Sequence, residues 1–157
     1  MDVEAFDEED FYRALAASGA RILLIGRRAV IAWGVPVSTA DYDLWIPATD
    51  AATLNRAVQP FDMFPNRSPE QARSVGRYVL ENGERVDVLV ARSVPTVDGV
   101  RVDFEEVWQR REELVVARGA TIAVPCIDDL ILTKRFAARP KDAEDIRLLR
   151  ALQESRR

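Results

Sequence analysis

Apolar residues recur along the chain with two spacings, one typical of helices and the other of strands. Phe6, Phe11 and Leu15 share one face of an amphipathic helix, and the acidic residues early in that segment suit the helix dipole. A short β-branched run between two glycines then predicts a buried strand. On this basis the first part of the chain is expected to contain helices over about 4–18, 27–33 and 50–58 and strands over 21–25 and 41–46.

The rest of the chain continues the alternation of helices and strands. Asn82-Gly83 lies between two alternating runs and is typical of a β-hairpin turn. The pattern predicts a short helix near 70–73, a hairpin of 77–80 with 85–90, a helix over 104–111, a hairpin of 114–117 with 121–124, and helices over about 127–138 and 141–153. We therefore expect a mixed α/β fold in one domain, residues 1–157, with a core over about 20–125 and a C-terminal helical pair over about 126–153.

The composition is that of a globular protein, and it restricts the side chains that could take part in catalysis. Hydrophobic residues make up 48% and charged residues 31%, and no run of about 18 apolar residues predicts a membrane span. The acidic N-terminus is unlike a secretory signal, so a cytoplasmic protein is expected. The chain has no His, and its single Cys126 cannot form a disulfide framework. Any catalysis must therefore use carboxylates, Lys, Arg, Tyr or backbone amides.

A net charge of −4 argues against a broad nucleic-acid surface and allows a local basic patch. The arginines that could form one are Arg73, Arg77, Arg101 and Arg110.

Three aspartates interrupt apolar strands and are the candidate metal ligands. Asp41 and Asp43 lie two residues apart and so point to the same face of their strand, and Asp87 stands among alternating valines in a later strand. Carboxylates placed together repel one another unless a cation lies between them, and hard oxygen ligands suit Mg²⁺. The alternative is that both strands are edge strands with one solvated face.

Gly26 stands where a strand ends and a short helix begins. Without a side chain it lets a ligand approach the backbone closely, and the free N–H groups of the following helix favour phosphate oxygens. Taken alone, such a residue is equally explained as an ordinary turn glycine.

Residues 24–34 (LIGRRAVIAWG) and 38–44 (STADYDL) together resemble the motif of the nucleotidyltransferase superfamily. That motif is a hydrophobic residue, Gly, then Gly or Ser, a short helix, and Asp-x-Asp on the next strand. The chain is more specifically similar to the bacterial AbiEii/MenT-type toxin nucleotidyltransferases and their small single-domain relatives. The C-terminal residues that carry this similarity are Pro125, Asp129, Leu130, Lys134, Arg139, Pro140, Lys141, Asp142 and Asp145.

The resemblance implies a nucleotidyltransferase fold and transfer of NMP from an NTP with release of pyrophosphate. It implies two Mg²⁺ ions, with Mn²⁺ as a substitute, held by Asp41 and Asp43, while Asp87 would bind one ion and help deprotonate the acceptor hydroxyl. Lys134 and Asp142 would lie at the nucleotide, Asp142 either bonded to Lys134 or near the phosphates. Asp145 is expected to be structural. Trp45 is expected to pack in the core, and stacking on a base is the alternative, because Trp45 shares the face of the aspartates.

Arg27 departs from the family pattern because it occupies the position where relatives carry a small Gly or Ser. Relatives also often carry an Arg where this chain has Val37. Either Arg27 or Arg28 supplies phosphate-binding charge from a new position, or Arg27 fills the triphosphate pocket. The first reading predicts an enzyme acting on an RNA end, a protein hydroxyl or a small molecule, as in toxin–antitoxin systems. The second predicts a non-catalytic module that binds a nucleotide or a cognate partner protein.

Overall fold

A seven-stranded sheet forms the centre of the fold in the computed structural model, which describes residues 6–157. The strands are β1 Leu23–Ile25, β2 Tyr42–Trp45, β3 Phe64–Pro65, β4 Arg77–Glu81, β5 Arg85–Leu89, β6 Ser93–Pro95, β7 Arg101–Asp103, β8 Glu112–Ala117 and β9 Ala120–Val124. The helices are α1 Glu8–Ala17, α2 Gly26–Ala32, α3 Ala51–Val58, α4 Pro69–Val75, α5 Phe104–Gln109, α6 Ile127–Thr133 and α7 Pro140–Ser155. Residues 4 and 5 of the first predicted helix lie outside the described residues.

The sheet is mixed, as the sequence predicts. Its strand order is β3-β4-β5-β2-β1-β9-β8, and strands β6 and β7 form a separate antiparallel pair. Strand β2 runs antiparallel to β1 and parallel to β5, and β1 runs parallel to β9. Strand β2 is therefore an inner strand with neighbours on both sides. This excludes, for Asp43, the alternative of a solvated edge strand.

One face of the sheet is covered by helices and holds the larger part of the core. Side chains alternate along β2, so Tyr42 and Leu44 point into this layer. They pack with apolar residues of α1, α2 and α3, among them Phe11, Val30 and Leu54, all fully buried. The apolar residues that produce the helical periodicity in the sequence are therefore the residues that cover this face of the sheet.

The opposite face carries a smaller apolar cluster centred on Trp45, which is fully buried. Its indole N–H donates to the carbonyl of Ala91 at 2.8 Å. The rings of Phe104 and Phe136 meet it edge-on, with centroids 5.6 and 5.9 Å away. The expectation that Trp45 packs in the core is therefore confirmed, and the alternative that it stacks a base is wrong, because the ring is enclosed by protein on this face.

The β6–β7 pair and the short strand β3 are absent from the sequence prediction. Helix α6 also ends at Thr133, several residues before the predicted end near residue 138. Two constraints shape the segment after it: Arg139 is extended, as expected before Pro140, and the carbonyl of Arg135 accepts a bond from Val97 at 2.8 Å. The loop between β6 and β7 thus holds the chain between α6 and α7 in an irregular conformation.

Within residues 6–157, no helix combines the length and the apolar character that crossing a membrane requires.

We expect Leu44→Ala to lower the free energy of unfolding by about 2–5 kcal/mol, because it removes a fully buried side chain from an inner strand. Val115→Ala in strand β8 is the matched control, since Val115 is 74% exposed and its truncation should change stability by less than about 0.5 kcal/mol. Urea unfolding measures both. Similar losses for the two variants would contradict this account of the core.

Candidate active site

A cleft of about 380 Å³ opens where β2, β5 and the start of α2 meet the segment after α6. Asp43 and Asp87 both line it, and they are register partners on the parallel strands β2 and β5. The charged residues that line the same cleft are Arg77, Lys134, Arg139 and Asp142. Asp41 lies one residue before β2, is exposed and is not among the lining residues. The fold thus brings two of the three predicted carboxylates together and leaves the third at the edge.

The carboxyl group of Asp43 has a strongly perturbed environment. Burial, followed by repulsion from Asp87 and then Asp41, raises its pKa from 3.8 to about 6, against the opposing effect of Lys134 and Arg139. The negative charge around Asp43 is therefore only partly compensated by Lys134 and Arg139. A site of this kind favours an added cation.

The donor set fits Mg²⁺ in the way that nucleotide-dependent enzymes hold it. Among residues 6–157 no three Asp, Glu, His or Cys side chains are already gathered as a metal cluster. Mg²⁺ is usually bound through one or two carboxylates, with phosphate oxygens and water completing its octahedral shell. Asp43 and Asp87 supply such a pair in the cleft, and Asp41 lies near enough to contribute to the potential at Asp43.

Gly26 packs directly against the Asp43 side chain. Its φ is +69°, and a Cβ placed on it would lie 2.9 Å from both Cβ and Cγ of Asp43. No side chain could occupy that space unless Asp43 moved. Helix α2 begins at Gly26, and its capping residue Ile25 makes no side-chain hydrogen bond, so the first amides of the helix are not capped by a side chain.

Arg27 and Arg28 bond the segment that leads to Asp41. Arg27 donates to the carbonyl of Ser38 at 3.2 Å, and Arg28 donates to the carbonyls of Thr39 and Asp41 at 3.1 Å each. The Arg28 guanidinium also lies over the Tyr42 ring, 4.0 Å from its centroid, and pairs with Glu8. Neither arginine is among the residues that line the cleft, so their phosphate-binding role remains a prediction.

Lys134 and Asp145 form a buried ion pair beside the cleft. The Lys134 ammonium donates to Asp145 at 2.7 Å, and the other oxygen of the same carboxylate accepts from Arg27 at 3.1 Å. Asp145 is fully buried and Lys134 is 5% exposed. The carboxylate partner of Lys134 is thus Asp145 and not Asp142, which instead accepts two bonds from Arg139 at 2.8 and 3.1 Å.

Several lining residues were given no site role by sequence reasoning. Arg139 belongs to the C-terminal motif, and Arg77 belongs to the predicted arginine patch, but neither position was expected in the cleft. Phe136 follows α6 and lines the cleft next to Ala137, with no signal in the sequence that separates it from an ordinary core residue. Of the other patch arginines, Arg101 pairs with Asp103 at 3.2 Å and Arg110 with Asp129 at 2.9 Å.

We expect Gly26→Ala to destabilise the protein more than Gly119→Ala does. Both glycines have similar positive φ values, 69° and 75°, so an alanine is strained to the same extent at each. Nothing lies within 4 Å of the added methyl at Gly119, whereas at Gly26 it overlaps Asp43. The excess loss should be about 1–3 kcal/mol in urea unfolding, as for other overpacked sites. Equal losses would show that Asp43 moves aside freely.

The raised pKa of Asp43 makes stability depend on pH in metal-free buffer. Because the folded protein binds this proton more tightly than the unfolded chain, the free energy of unfolding should fall as pH rises from about 4 to about 6. Asp43→Asn lacks the charge, so at pH 7.5 with EDTA it should be more stable than the wild type by about 1–3 kcal/mol. The difference in stability between Asp43→Asn and the wild type should vanish near pH 4. The exposed control Asp62→Asn keeps Asp43 and should therefore keep the pH dependence of the wild type.

Among known proteins, the comparisons found similarity to solved structures only. No family model and no curated protein sequence matches the chain. The structure of the lincosamide antibiotic adenylyltransferase LnuA, with lincomycin bound, is similar over 96% of this chain and 99% of its own, with a TM-score of 0.63 and 13% identity.

Two further solved structures are similar to the chain to about the same extent. The antibiotic-resistance factor ANT(2'')-Ia covers 92% of this chain and 89% of its own, with a TM-score of 0.60 and 18% identity. A Thermotoga maritima protein, assigned provisionally as a nucleotidyltransferase, gives the same coverages and TM-score at 19% identity. Similarity at these identities concerns the arrangement of strands and helices, and that arrangement is the nucleotidyltransferase fold.

Proposed function

We propose that the chain is an Mg²⁺-dependent nucleotidyltransferase that moves the NMP of an NTP onto an acceptor hydroxyl. The observation that carries the proposal is the placement of Asp43 and Asp87. They face each other in register on neighbouring parallel strands, in a cleft that also contains Gly26 and Lys134. Two like charges placed side by side in a fold are costly. Binding of a cation together with a polyphosphate would offset this cost and explain why both aspartates are present.

In this proposal each charged residue has a distinct task. Asp43 and Asp87, with Asp41 at the edge, would hold Mg²⁺, which on binding neutralises the phosphate charge that develops during transfer. Lys134 adds a compact ammonium next to the phosphates, fixed in place by Asp145. Arg139 adds a second cation on the same wall.

The transfer itself requires positioning and one proton acceptor. The acceptor oxygen forms a bond to the α-phosphorus while the bond from that phosphorus to the pyrophosphate oxygen breaks, and pyrophosphate leaves with the electron pair. The hydroxyl proton passes to a carboxylate. Asp87 suits this task because it lines the cleft and its side chain is 43% exposed, with one carboxylate oxygen accepting from Arg85 at 3.1 Å.

The non-catalytic alternative depended on Arg27 filling the triphosphate pocket. Its guanidinium instead bonds Asp145 and Ser38, and Arg27 is not among the lining residues of the cleft. The position of Arg27 therefore supports catalysis.

The acceptor is proposed within three classes: an RNA end, a protein hydroxyl or a small molecule. LnuA is a lincosamide antibiotic adenylyltransferase, and ANT(2'')-Ia is an antibiotic-resistance factor with a structure in complex with adenylyl-2''-tobramycin. The structural similarity to LnuA, which extends over 99% of the LnuA chain, supports a small-molecule acceptor. A protein or small acceptor also suits the net charge of −4, whereas a toxin-type reaction on RNA would need the basic residues around Arg77.

Label transfer tests the proposal. Purified protein receives Mg²⁺ and each of the four α-labelled NTPs, with host RNA, host protein extract or a panel of hydroxylated small molecules. We expect label on one acceptor class, lost in Asp41→Asn/Asp43→Asn by at least about a hundredfold, because the cation that stabilises the transferring group is lost.

Asp62→Asn is the matched control, since it is an exposed aspartate outside the cleft and should keep full activity. Label that survives in the double variant would show that a contaminant transfers it. No label on any acceptor, from wild-type protein shown to be folded, would favour the non-catalytic module.

A further inference from the structure

The cleft has a charged end and an apolar end on the same face of the sheet. Side chains alternate along strands, so Trp45 points to the same face as Asp43, and Leu89 to the same face as Asp87. Two residues along a strand correspond to about 7 Å. An apolar surface therefore lies one such step from the carboxylates, and within the cleft it is lined by Leu89, Phe136 and Ala137.

Phe136 is half-buried and supplies the aromatic ring among the three apolar residues that line this part of the cleft. One side of it is fixed, because it meets the Trp45 ring at 86° with centroids 5.9 Å apart. Trp45 in turn is held by its bond to Ala91 and by Phe104. A ring braced in this way loses little conformational freedom when a ligand packs on its remaining surface.

Phe136 also stands close to the phosphate side of the cleft along the chain. It follows Lys134 by two residues, in the turn that ends α6, where its amide donates to the carbonyl of Thr133 at 3.2 Å. A ligand that contacts the Lys134 ammonium with its phosphates can reach this ring with the rest of the same molecule. A nucleotide has that combination, an anionic phosphate chain joined to a flat, weakly polar base.

We infer that the ring of Phe136 is the stacking surface for the nucleobase of the bound NTP. The inference rests on the proposed function, because it assigns the base of the same nucleotide whose phosphates lie at Asp43 and Lys134. Stacking on an aromatic face depends little on the identity of the base. Selection among NTPs would then come from ring size more than from hydrogen bonds, with purines bound more tightly than pyrimidines.

The test compares Phe136→Ala and Phe136→Leu with the wild type by calorimetric titration in Mg²⁺. The titrants are ATP, GTP, CTP, UTP and inorganic tripolyphosphate, which has the phosphates without a base. We expect Phe136→Ala to weaken NTP binding about tenfold, with the larger loss for purines, and to leave tripolyphosphate binding unchanged. The NTP affinity of Phe136→Leu should lie between those of the wild type and Phe136→Ala, because leucine restores apolar contact without a flat ring.

Phe64→Ala is the matched control, an exposed phenylalanine on β3 outside the cleft, and it should bind all titrants as the wild type does. Equal weakening of NTP and tripolyphosphate in Phe136→Ala would mark a purely structural role and overturn the inference. Unchanged NTP affinity together with a raised KM for the acceptor would overturn it in favour of an acceptor contact. If wild-type protein binds neither NTP nor tripolyphosphate, the proposed function fails as well, which separates the two failures.

Discussion

The repulsion between Asp43 and Asp87 is the constraint around which this molecule is arranged. Their strands are parallel and in register, so the two carboxylates cannot separate without breaking the centre of the sheet. The fold tolerates them because the cleft gives them partial access to solvent, because Lys134 and Arg139 offset the charge of Asp43, and because Arg85 pairs with Asp87. The metal-free protein therefore carries a local electrostatic penalty that a cation with phosphate oxygens would remove, which links stability to ligand binding.

The two faces of β2 explain why the sequence was informative about this region. Alternation of Tyr42 and Leu44 with Asp43 and Trp45 separates a helix-covered face from a cleft face, and this separation follows from strand geometry alone. Gly26, which begins α2, was also recognisable, although the reason for it was not: its close contact is with Asp43, seventeen positions later in the chain. Local patterns predicted the strands, the turn and the aspartates as members of one site.

What the sequence could not supply are the contacts made between distant segments. Strand pair β6–β7 has only three residues in each strand, too few for a clear alternation, and its loop bonds the chain at Arg135. That bond shortens α6 and leads Phe136 into the cleft region, so neither the end of the helix nor the position of the ring is encoded locally. Likewise, the family resemblance implied Asp142 as a possible partner of Lys134, whereas packing of α7 brings Asp145 there.

The carboxylate of Asp145, which accepts from both Arg27 and Lys134, limits the substitutions that this chain can accept. Arg27 and Lys134 approach it from α2 and from the end of α6, so one buried oxygen pair joins three segments far apart in the chain. A Gly or Ser at position 27 would leave one oxygen of a fully buried carboxylate without its Arg27 partner. Substitutions at positions 27 and 145 are therefore not independent: each sets the effect of the other, and exchange at one requires a compensating change at the second.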